Sequence, residues 1–297
     1  MRNQLADGRF RYGSGGEWLK GNTHIHSTAS DGGRNVAELT EMYAGAGYDF
    51  LFRTDHWVAA AAGAQPAHAP LLWLDGLELD GADETGAAYH VVCLGTFSGI
   101  GRDLGFPAAL EAARAQGGLL ILAHPFWTGN NLEDAVRWSF HGVEIYNHVC
   151  HWLNGKSDGA VHWHRMLEAN PQTLAFAADD AHICPEHPGW DGGWIMVNAQ
   201  SRTPAAILRA IRAGRYYSTC GPRFEELAFD GQNVGVRTSP VRFTRLVSAG
   251  WHGKRSGNFD GQLHTQASFA VPPEWPYVCL EIEDEWGRRA WTNTLFR

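Results

Sequence analysis

Two histidines stand one residue apart early in the chain, in the sequence Thr23-His24-Ile25-His26-Ser27. On a β-strand both imidazoles would point to one face, because side chains alternate along a strand with a period of two. Two imidazoles on one face at the end of a strand can bind the same metal ion. The pair alone is weak support for a metal site, since a single histidine is more often an ordinary core or surface residue.

The apolar segments that follow carry the same residue types. Histidines or carboxylates end these segments or lie within them: Asp55 and His56, Glu78, His90, His124, Glu144, Asp180 and His182. Imidazole together with carboxylate suits Zn²⁺, Mn²⁺ or Fe²⁺. Chance alone would rarely place a ligand-type residue on so many separate segments. The sequence therefore predicts one shared metal centre.

A shared centre requires strands whose ends meet. Strand-like and helical segments alternate through the first 215 residues or so, which implies a parallel sheet in a barrel or in a doubly wound fold. Predicted strands cover residues 18–25, 49–53, 71–79, 89–94, 118–123, 142–146, 173–178 and 194–197, and predicted helices cover 36–46, 107–115, 132–138, 161–169 and 204–213. Thr203 is the predicted N-cap of the last helix, with Pro204 in its first turn.

The character of the sequence changes after Gly214. Short segments of alternating polar and apolar residues, such as 277–283, are separated by Gly, Pro, Asn and Asp, and no helical period is visible. This pattern predicts a small antiparallel β domain that resembles a sandwich. We therefore expect two domains, a larger one over residues 1–214 and a smaller all-β one over 215–297.

Composition excludes several classes of protein. The chain has 297 residues, 44% of them hydrophobic, and a formal net charge of −8. The negative charge disfavours bulk nucleic-acid binding, and no apolar run is long enough to span a membrane. The five cysteines form no closely spaced pair, and the first seven residues lack the apolar run of a signal peptide. A cytoplasmic location is therefore expected.

The ordered series His-x-His, Ser-Asp-Gly, Thr-Asp-His, Glu, His, His-Pro and Asp-x-His resembles the polymerase and histidinol phosphatase (PHP) superfamily over about residues 18–200. The resemblance implies a distorted (βα)7 TIM-like barrel that holds two or three divalent ions and mostly hydrolyses phosphoesters. The segments 214–222 and 290–294 resemble the carbaryl-hydrolase-like branch, which adds a small C-terminal β domain.

The resemblance also implies which residues bind each ion. A first ion would be bound by His24, His26, Glu78 and Asp180; Glu78 would bridge to a second ion bound by His90 and His124; Asp31, His56 and His182 would bind a third. Asp31 stands where many members have a histidine. Asp179 could compete with Asp180, although the two-residue spacing to His182 favours Asp180.

The predicted reaction is hydrolysis of a small phosphorylated molecule by a metal-bridging hydroxide at a di- or trinuclear site. Arg53 and His151 are the predicted contacts to the substrate or leaving group, with His187 as a further candidate. Arg53 could instead pair with Asp55 or Asp179. Trp57 and Trp127 either wall the pocket, which would suit an aryl group, or belong to ordinary packing.

Two other functions fit the same residues. One is a carboxylic-ester or carbamate hydrolase that uses the same ions at carbon. The other is a metal-binding scaffold without activity, which loss of ligands would indicate, whereas this chain retains all nine. No nucleoside-triphosphate loop and no serine-nucleophile motif is present. The sequence leaves open the natural substrate, the metal used and the oligomeric state.

Overall fold

The computed structural model describes residues 15–59 and 69–295. Residues 1–7, which lack the apolar run of a signal peptide in the sequence, lie outside them. The strands are β1 (Glu17–Asn22), β2 (Phe50–Arg53), β3 (Leu72–Ala82), β4 (Ala88–Leu94), β5 (Leu119–Leu122), β6 (Gly142–Asn147), β7 (Leu174–Ala178), β8 (Trp194–Ala199), β9 (Tyr216–Thr219), β10 (Phe224–Phe229), β11 (Asn233–Val241), β12 (Phe243–Val247), β13 (Gly253–Ser256), β14 (His264–Ala270), β15 (Cys279–Glu283) and β16 (Arg289–Thr292).

The helices lie mostly in the first part of the chain. They are α1 (Val36–Gly45), α2 (Phe106–Ala115), α3 (Pro125–Thr128), α4 (Leu132–Arg137), α5 (His148–Asn154), α6 (Ala160–Ala169) and α7 (Pro204–Arg212), with a 3-10 turn at Arg102–Leu104. The predicted cap of α7 is confirmed, because the Thr203 side chain accepts a hydrogen bond from the backbone N–H of Ala206. Among the described residues, none of the helices has the length and apolar character needed to cross a bilayer.

The large sheet has the strand order β13-β12-β15-β16-β9-β8-β1-β2-β3-β4-β5-β6-β7. The runs β1-β2-β3 and β5-β6-β7 are parallel, as predicted, whereas β4 is antiparallel to both of its neighbours. The physical reason is the short connection from β3 to β4, which forms a hairpin and leaves no room for a crossover helix.

The predicted (βα)7 barrel is wrong in its closure, because the sheet formed by the described residues stays open. β7 pairs with β6 alone, and β1 pairs with β8 on its other side. The chain segments just beyond β1 and β7 still meet, through a parallel bridge between Ile25 and Ala181. Hydrogen bonds from Asp180 N to His24 O and from His26 N to Ala181 O, each 3.0 Å, join these two segments.

A second, small antiparallel sheet has the order β10-β11-β14. Its apolar side packs against the C-terminal strands of the large sheet, where Phe224, Val234, Leu246 and Leu280 are buried together. The predicted division into 1–214 and 215–297 stays a prediction. The large sheet runs across position 214, since β9 pairs with both β8 and β16.

Helix α1 follows the loop that leaves β1. Asn35 begins it with a capping box: its side chain accepts from the N–H of Ala37 and Glu38, and Glu38 accepts from the N–H of Asn35. Three backbone N–H donors at the start of the helix, those of Asn35, Ala37 and Glu38, are thereby satisfied. Leu39 and Tyr43 are fully buried on the inner face, so the helix is fixed beside the ends of β1 and β7.

Candidate metal centre

The nine predicted ligands lie at one end of the large sheet. They follow or lie within six strands of that sheet: His24, His26 and Asp31 after β1, His56 after β2, Glu78 in β3, His90 in β4, His124 after β5, and Asp180 and His182 after β7. Parallel strands present their carboxyl ends on the same edge, which explains how positions far apart in sequence meet. The structure brings all nine side chains into one cluster.

Glu78 lies at the middle of this cluster and is fully buried. Its Oε2 atom is 3.1 Å from Nε2 of His24, 3.2 Å from Nε2 of His26 and 3.3 Å from Nε2 of His56. Its Oε1 atom is 2.9 Å from Nδ1 of His90. Oε2 nevertheless has no hydrogen-bond partner among the described residues. The two oxygens of one carboxylate thus face two different groups of imidazoles.

Asp180 completes the innermost group. Its Oδ1 atom is 3.2 Å from Nε2 of His24 and 3.1 Å from Nε2 of His26, and Oδ2 is 3.7 Å from Nε2 of His124. Asp180 and His124 have φ values of 56° and 25°, in the left-handed region that side chains other than glycine seldom adopt. Backbone strain of this kind persists where the surrounding structure enforces it, commonly at functional sites.

Asp31 is the outermost ligand candidate, with a side chain 53% exposed. Its Oδ2 atom is 3.3 Å from Nε2 of His182 and 3.7 Å from Nε2 of His56. Its Oδ1 atom is 3.5 Å from Nδ1 of His26, on the ring side opposite Glu78. The three residues that the resemblance assigns to a third ion are therefore adjacent, with His26 beside them.

Two carboxylates behind the ligands, the buried Glu144 and the partly exposed Asp80, orient two imidazoles. Nδ1 of His24 is 2.7 Å from Oε1 of Glu144, and Nδ1 of His56 is 3.0 Å from Oδ1 of Asp80. Such outer contacts hold the ring and leave the other nitrogen free to bind a metal ion. Glu144 stood out in the sequence as a carboxylate in an apolar strand. Asp80 was missed, although its two-residue spacing from Glu78 places it on the same face of β3.

The neighbouring carboxylates Asp179 and Asp55 have other roles. Asp179 accepts hydrogen bonds from the N–H groups of residues 191–193 and from the Tyr43 hydroxyl, so it anchors a loop. Asp55 accepts from the backbone and hydroxyl of Ser27 and from the hydroxyl of Ser30, and so shapes the loop that carries Asp31. Asp180, rather than Asp179, therefore faces the cluster.

Electrostatics within the cluster favour charged carboxylates. Burial raises the pKa of Glu78 and of Asp180, but the histidine charges around them, that of His24 first, hold both pKa values below the ordinary range. Burial lowers the pKa of His26, yet a hydrogen bond with Asp180 and the carboxylate of Glu78 3.2 Å away raise it to about 9. Without metal, imidazolium groups thus balance the buried carboxylates; a bound cation would take over that role and release protons.

The donor set fits divalent ions. Nε2 of His24 and Nε2 of His26 are 3.1 Å apart, and Oε2 of Glu78 and Oδ1 of Asp180 lie within 3.2 Å of both. Ligands about 2.1 Å from a tetrahedral ion are separated by about 3.4 Å, close to these spacings. The unpartnered Glu78 Oε2 is the kind of buried polar atom that a cation would satisfy.

A cavity of about 200 Å³ opens beside the cluster. Ligand side chains form one wall, and Trp127, Val149, Cys150, Leu153 and His187 form the other. Of the described residues that line the cavity, none is a lysine or an arginine. Trp127 therefore takes the predicted position at the pocket wall.

Three predicted contacts lie outside the cavity lining. Nε of Arg53 is 3.6 Å from Oδ2 of Asp55, which is the ion pair considered as its alternative. His151 is exposed on α5, with Nδ1 3.5 Å from the Ser157 hydroxyl. The Trp57 ring packs under the guanidinium of Arg102, 5.2 Å away, instead of facing the cavity. His187, the further candidate for contact with the leaving group, does line the cavity.

No protein-family model and no curated protein matches the sequence. A solved structure from Bacteroides vulgatus, a two-domain protein containing a predicted PHP-like metal-dependent phosphoesterase, is similar over 96% of this chain and 95% of its own, with a TM-score of 0.55 and 15% identity. The chain therefore shares the fold of that two-domain protein, and the resemblance seen in the sequence is confirmed at the level of the fold.

Two further solved structures are similar over shorter stretches. A candidate metal-dependent phosphoesterase from Bifidobacterium adolescentis covers 60% of this chain and 91% of its own, with a TM-score of 0.40 and 15% identity. An amidohydrolase from Chromobacterium violaceum, solved with sulfate and no metal, covers 57% and 90%, with a TM-score of 0.41 and 16% identity.

Proposed function

We propose that this protein is a metal-dependent phosphoesterase that hydrolyses a small phosphorylated molecule. The observation that carries the proposal is the buried Glu78, whose Oε2 lies within 3.3 Å of three imidazole nitrogens and has no hydrogen-bond partner among the described residues. An arrangement of one carboxylate among several imidazoles is suited to bridging divalent ions. We propose a di- or trinuclear site for Mn²⁺, Zn²⁺ or Fe²⁺, with the nine residues predicted from the sequence as ligands.

The chemistry the ions supply when bound is Lewis acidity, which acidifies water near neutral pH and neutralises charge on phosphoryl oxygens. The ligand set contains three carboxylates, Asp31, Glu78 and Asp180, and the histidines are neutral when they bind metal. Two or more divalent ions therefore outweigh the ligand charge. An anionic substrate is attracted into the cavity by this remaining positive charge.

The residues of the chain have distinct tasks in this proposal. Glu144 and Asp80 hold the imidazoles of His24 and His56 with one nitrogen facing the cluster. His187 is the imidazole on the cavity wall outside the ligand set, and its Nδ1 has no hydrogen-bond partner among the described residues. A ring so placed is suited to donate a proton to the leaving group.

A carboxylic-ester or carbamate hydrolase is the second candidate. The observation in its favour is the cavity wall, where no lysine or arginine is found among the described lining residues. Enzymes that bind phosphate commonly use arginine for its matching pair of donors. In either case the five cysteines are free thiols, consistent with the cytoplasmic location we propose.

The proposal is tested by turnover of an aryl phosphate and of an aryl carboxylic ester with the same leaving group. We expect the metal-loaded protein to hydrolyse the phosphate, Glu78→Gln to lose at least about 100-fold in kcat/KM, and Glu133→Gln, at an exposed glutamate of α4, to keep it. Turnover of the ester alone would favour the second candidate. No turnover of either substrate with any of the three metals would overturn the proposal.

A further inference from the structure

The cavity has two chemically different walls. One is formed by the charged and imidazole side chains of the cluster, and the other contains Trp127, Val149, Cys150 and Leu153. The apolar wall comes from two short helices: α3, which directly follows the ligand His124, and α5, which directly follows β6 with its orienting carboxylate Glu144. An ester drawn to the polar wall by its reacting group must therefore place its organic group against the apolar one.

Trp127 is fixed against the metal centre itself. Its ring centroid is 5.1 Å from that of His124 and 5.8 Å from that of His90, with interplanar angles of 83° and 80°. These near-perpendicular contacts are a favourable geometry for aromatic pairs. The indole is 37% exposed, so part of its surface remains available to a ligand.

Leu153 lines the same cavity as this indole and is 40% exposed. Val149 and Cys150, one turn earlier on α5, are buried and extend the apolar surface inward. A single exposed apolar side chain is common on protein surfaces and indicates no function by itself. Several apolar side chains around one cavity, however, form a surface on which an apolar group is more stable than in water.

The size of the cavity and the charge of its lining further restrict which organic groups it can bind. A cavity of about 150 Å³ is sufficient for benzene, so about 200 Å³ accommodates one ring and not a much larger organic group. None of the described lining residues is a lysine or an arginine, and the carboxylates in the lining are all in the ligand set. A charged substituent facing the apolar wall would lose its hydration without a partner.

We infer that Trp127 and Leu153 are specificity-determining residues that select esters whose organic group is uncharged and apolar, about the size of one ring. The inference rests on the proposed function, because it takes the polar wall to bind the reacting group. It extends the proposal by excluding sugar-like, zwitterionic and cationic organic groups from the preferred substrates.

The test measures binding without turnover, by calorimetry on the full-length protein loaded with Mn²⁺. Phenylphosphonate, methylphosphonate and 2-aminoethylphosphonate share one anionic head and differ in the organic group. Benzoate and acetate form a second pair with a carboxylate head. We expect the phenyl member of a pair to bind about tenfold tighter than the methyl member, because it buries more apolar surface. The aminoethyl ligand should bind no tighter than the methyl one.

The double variant Trp127→Ala/Leu153→Ala should reduce the phenyl preference to about threefold or less, in line with the apolar contacts removed. Both positions are partly exposed, and circular dichroism verifies that the variant is folded. The control is Trp152→Ala, at a tryptophan that is 52% exposed on the same helix but outside the cavity lining. It should keep the preference of the unaltered protein.

The outcomes separate this inference from the proposed function. Equal affinities for phenyl and methyl members in both series, a preference that survives the double variant, or no binding in either series would overturn the inference. Binding of the carboxylates but not of the phosphonates, with the phenyl preference intact, would overturn the phosphoester assignment and support the apolar wall.

Discussion

Oε1 of Glu144 lies 2.7 Å from Nδ1 of His24, and both side chains are buried beneath the cluster. The same carboxylate accepts hydrogen bonds from the backbone N–H of His124 and from the side-chain amide of Asn147. Glu144 thus fixes one ligand through its ring and another through its backbone. Its contact with Nδ1 leaves Nε2 of His24 facing Glu78 and Asp180.

Glu144→Gln should weaken metal binding without removing any ligand. The amide cannot accept all three hydrogen bonds, so the rings of His24 and His124 lose their fixed orientation. Losses at such outer positions are about 10–100-fold in metal affinity. Competition with a chromophoric chelator measures the change. Glu168→Gln, at an exposed glutamate of α6, is the control; an equal affinity for both variants would contradict the assigned role.

Substitution of the adjacent residues Asp179 and Asp180 should have different effects, the first on stability and the second on metal binding. Asp179→Asn places an amide N–H against donors from residues 191–193 and Tyr43, and should lower the free energy of unfolding by about 1–3 kcal/mol while metal content is retained. Asp180→Asn should lose bound metal, because its carboxylate faces His24 and His26. Urea unfolding and elemental analysis measure the two effects. Metal loss in the Asp179 variant alone would reverse the assignment.

The stability of metal-free protein should depend on the charge of His26. Its pKa is raised from 6.5 to about 9 on folding. A raised histidine pKa stabilises the folded state fully below pH 6.5, and this contribution is lost as the pH rises to 9. The free energy of unfolding of chelator-treated protein should therefore fall more between pH 6.5 and 9 in the unaltered protein than in His26→Asn. A smaller fall in the unaltered protein would refute this.

Metal affinity should depend on pH in the opposite direction to stability, because the same histidine protons are involved. Histidines must be neutral to bind metal, so binding releases the protons that His26 and its neighbours hold. The apparent metal affinity should rise over the same pH interval, by up to about tenfold per pH unit for each proton released. Calorimetry in buffers of different ionisation enthalpy counts the protons. Binding without proton release at pH 7 would contradict the raised pKa.

His187 and His151 provide a matched pair on the question of leaving-group protonation. His187 lines the cavity, whereas His151 is exposed outside its lining. His187→Asn should lower kcat by about 100-fold or more for an alkyl phosphate. The loss should be far smaller for 4-nitrophenyl phosphate, because its leaving group needs no protonation. His151→Asn should change neither rate by more than about threefold. Equal losses on both substrates would assign His187 a merely structural role.

Much of the site could be predicted because its signal is local. The two-residue spacing of His24 and His26, and of Asp180 and His182, predicts shared faces without any knowledge of the fold, although β1 and β7 end two residues before these pairs, at Asn22 and Ala178. The other ligands, apart from Asp31, end apolar strand segments or lie within them. On the parallel strands these positions lie towards the carboxyl edge of the sheet, as parallel pairing requires, whereas His90 reaches the same edge from near the amino end of the antiparallel β4.

Other features depend on tertiary structure and leave no such signal. The reversed direction of β4 follows from the hairpin between β3 and β4, and the open sheet from β8, which pairs with β1 where β7 would have to close the barrel; neither changes the apolar pattern of a strand. Helix α5 has seven residues, too few to show a period, so the wall residue Leu153 was not predicted. The left-handed backbone of Asp180 and His124 is imposed by neighbouring segments rather than by residue type.

Metal content per chain is the most direct test of the central claim that Glu78 joins a multinuclear centre. Protein purified without chelator, and then saturated with Mn²⁺, Zn²⁺ or Fe²⁺ and desalted, is analysed by mass spectrometry of the elements. We predict at least two ions per chain in the unaltered protein and about one fewer in Glu78→Gln. An unaltered protein that retains no ion with any of the three metals would contradict the account.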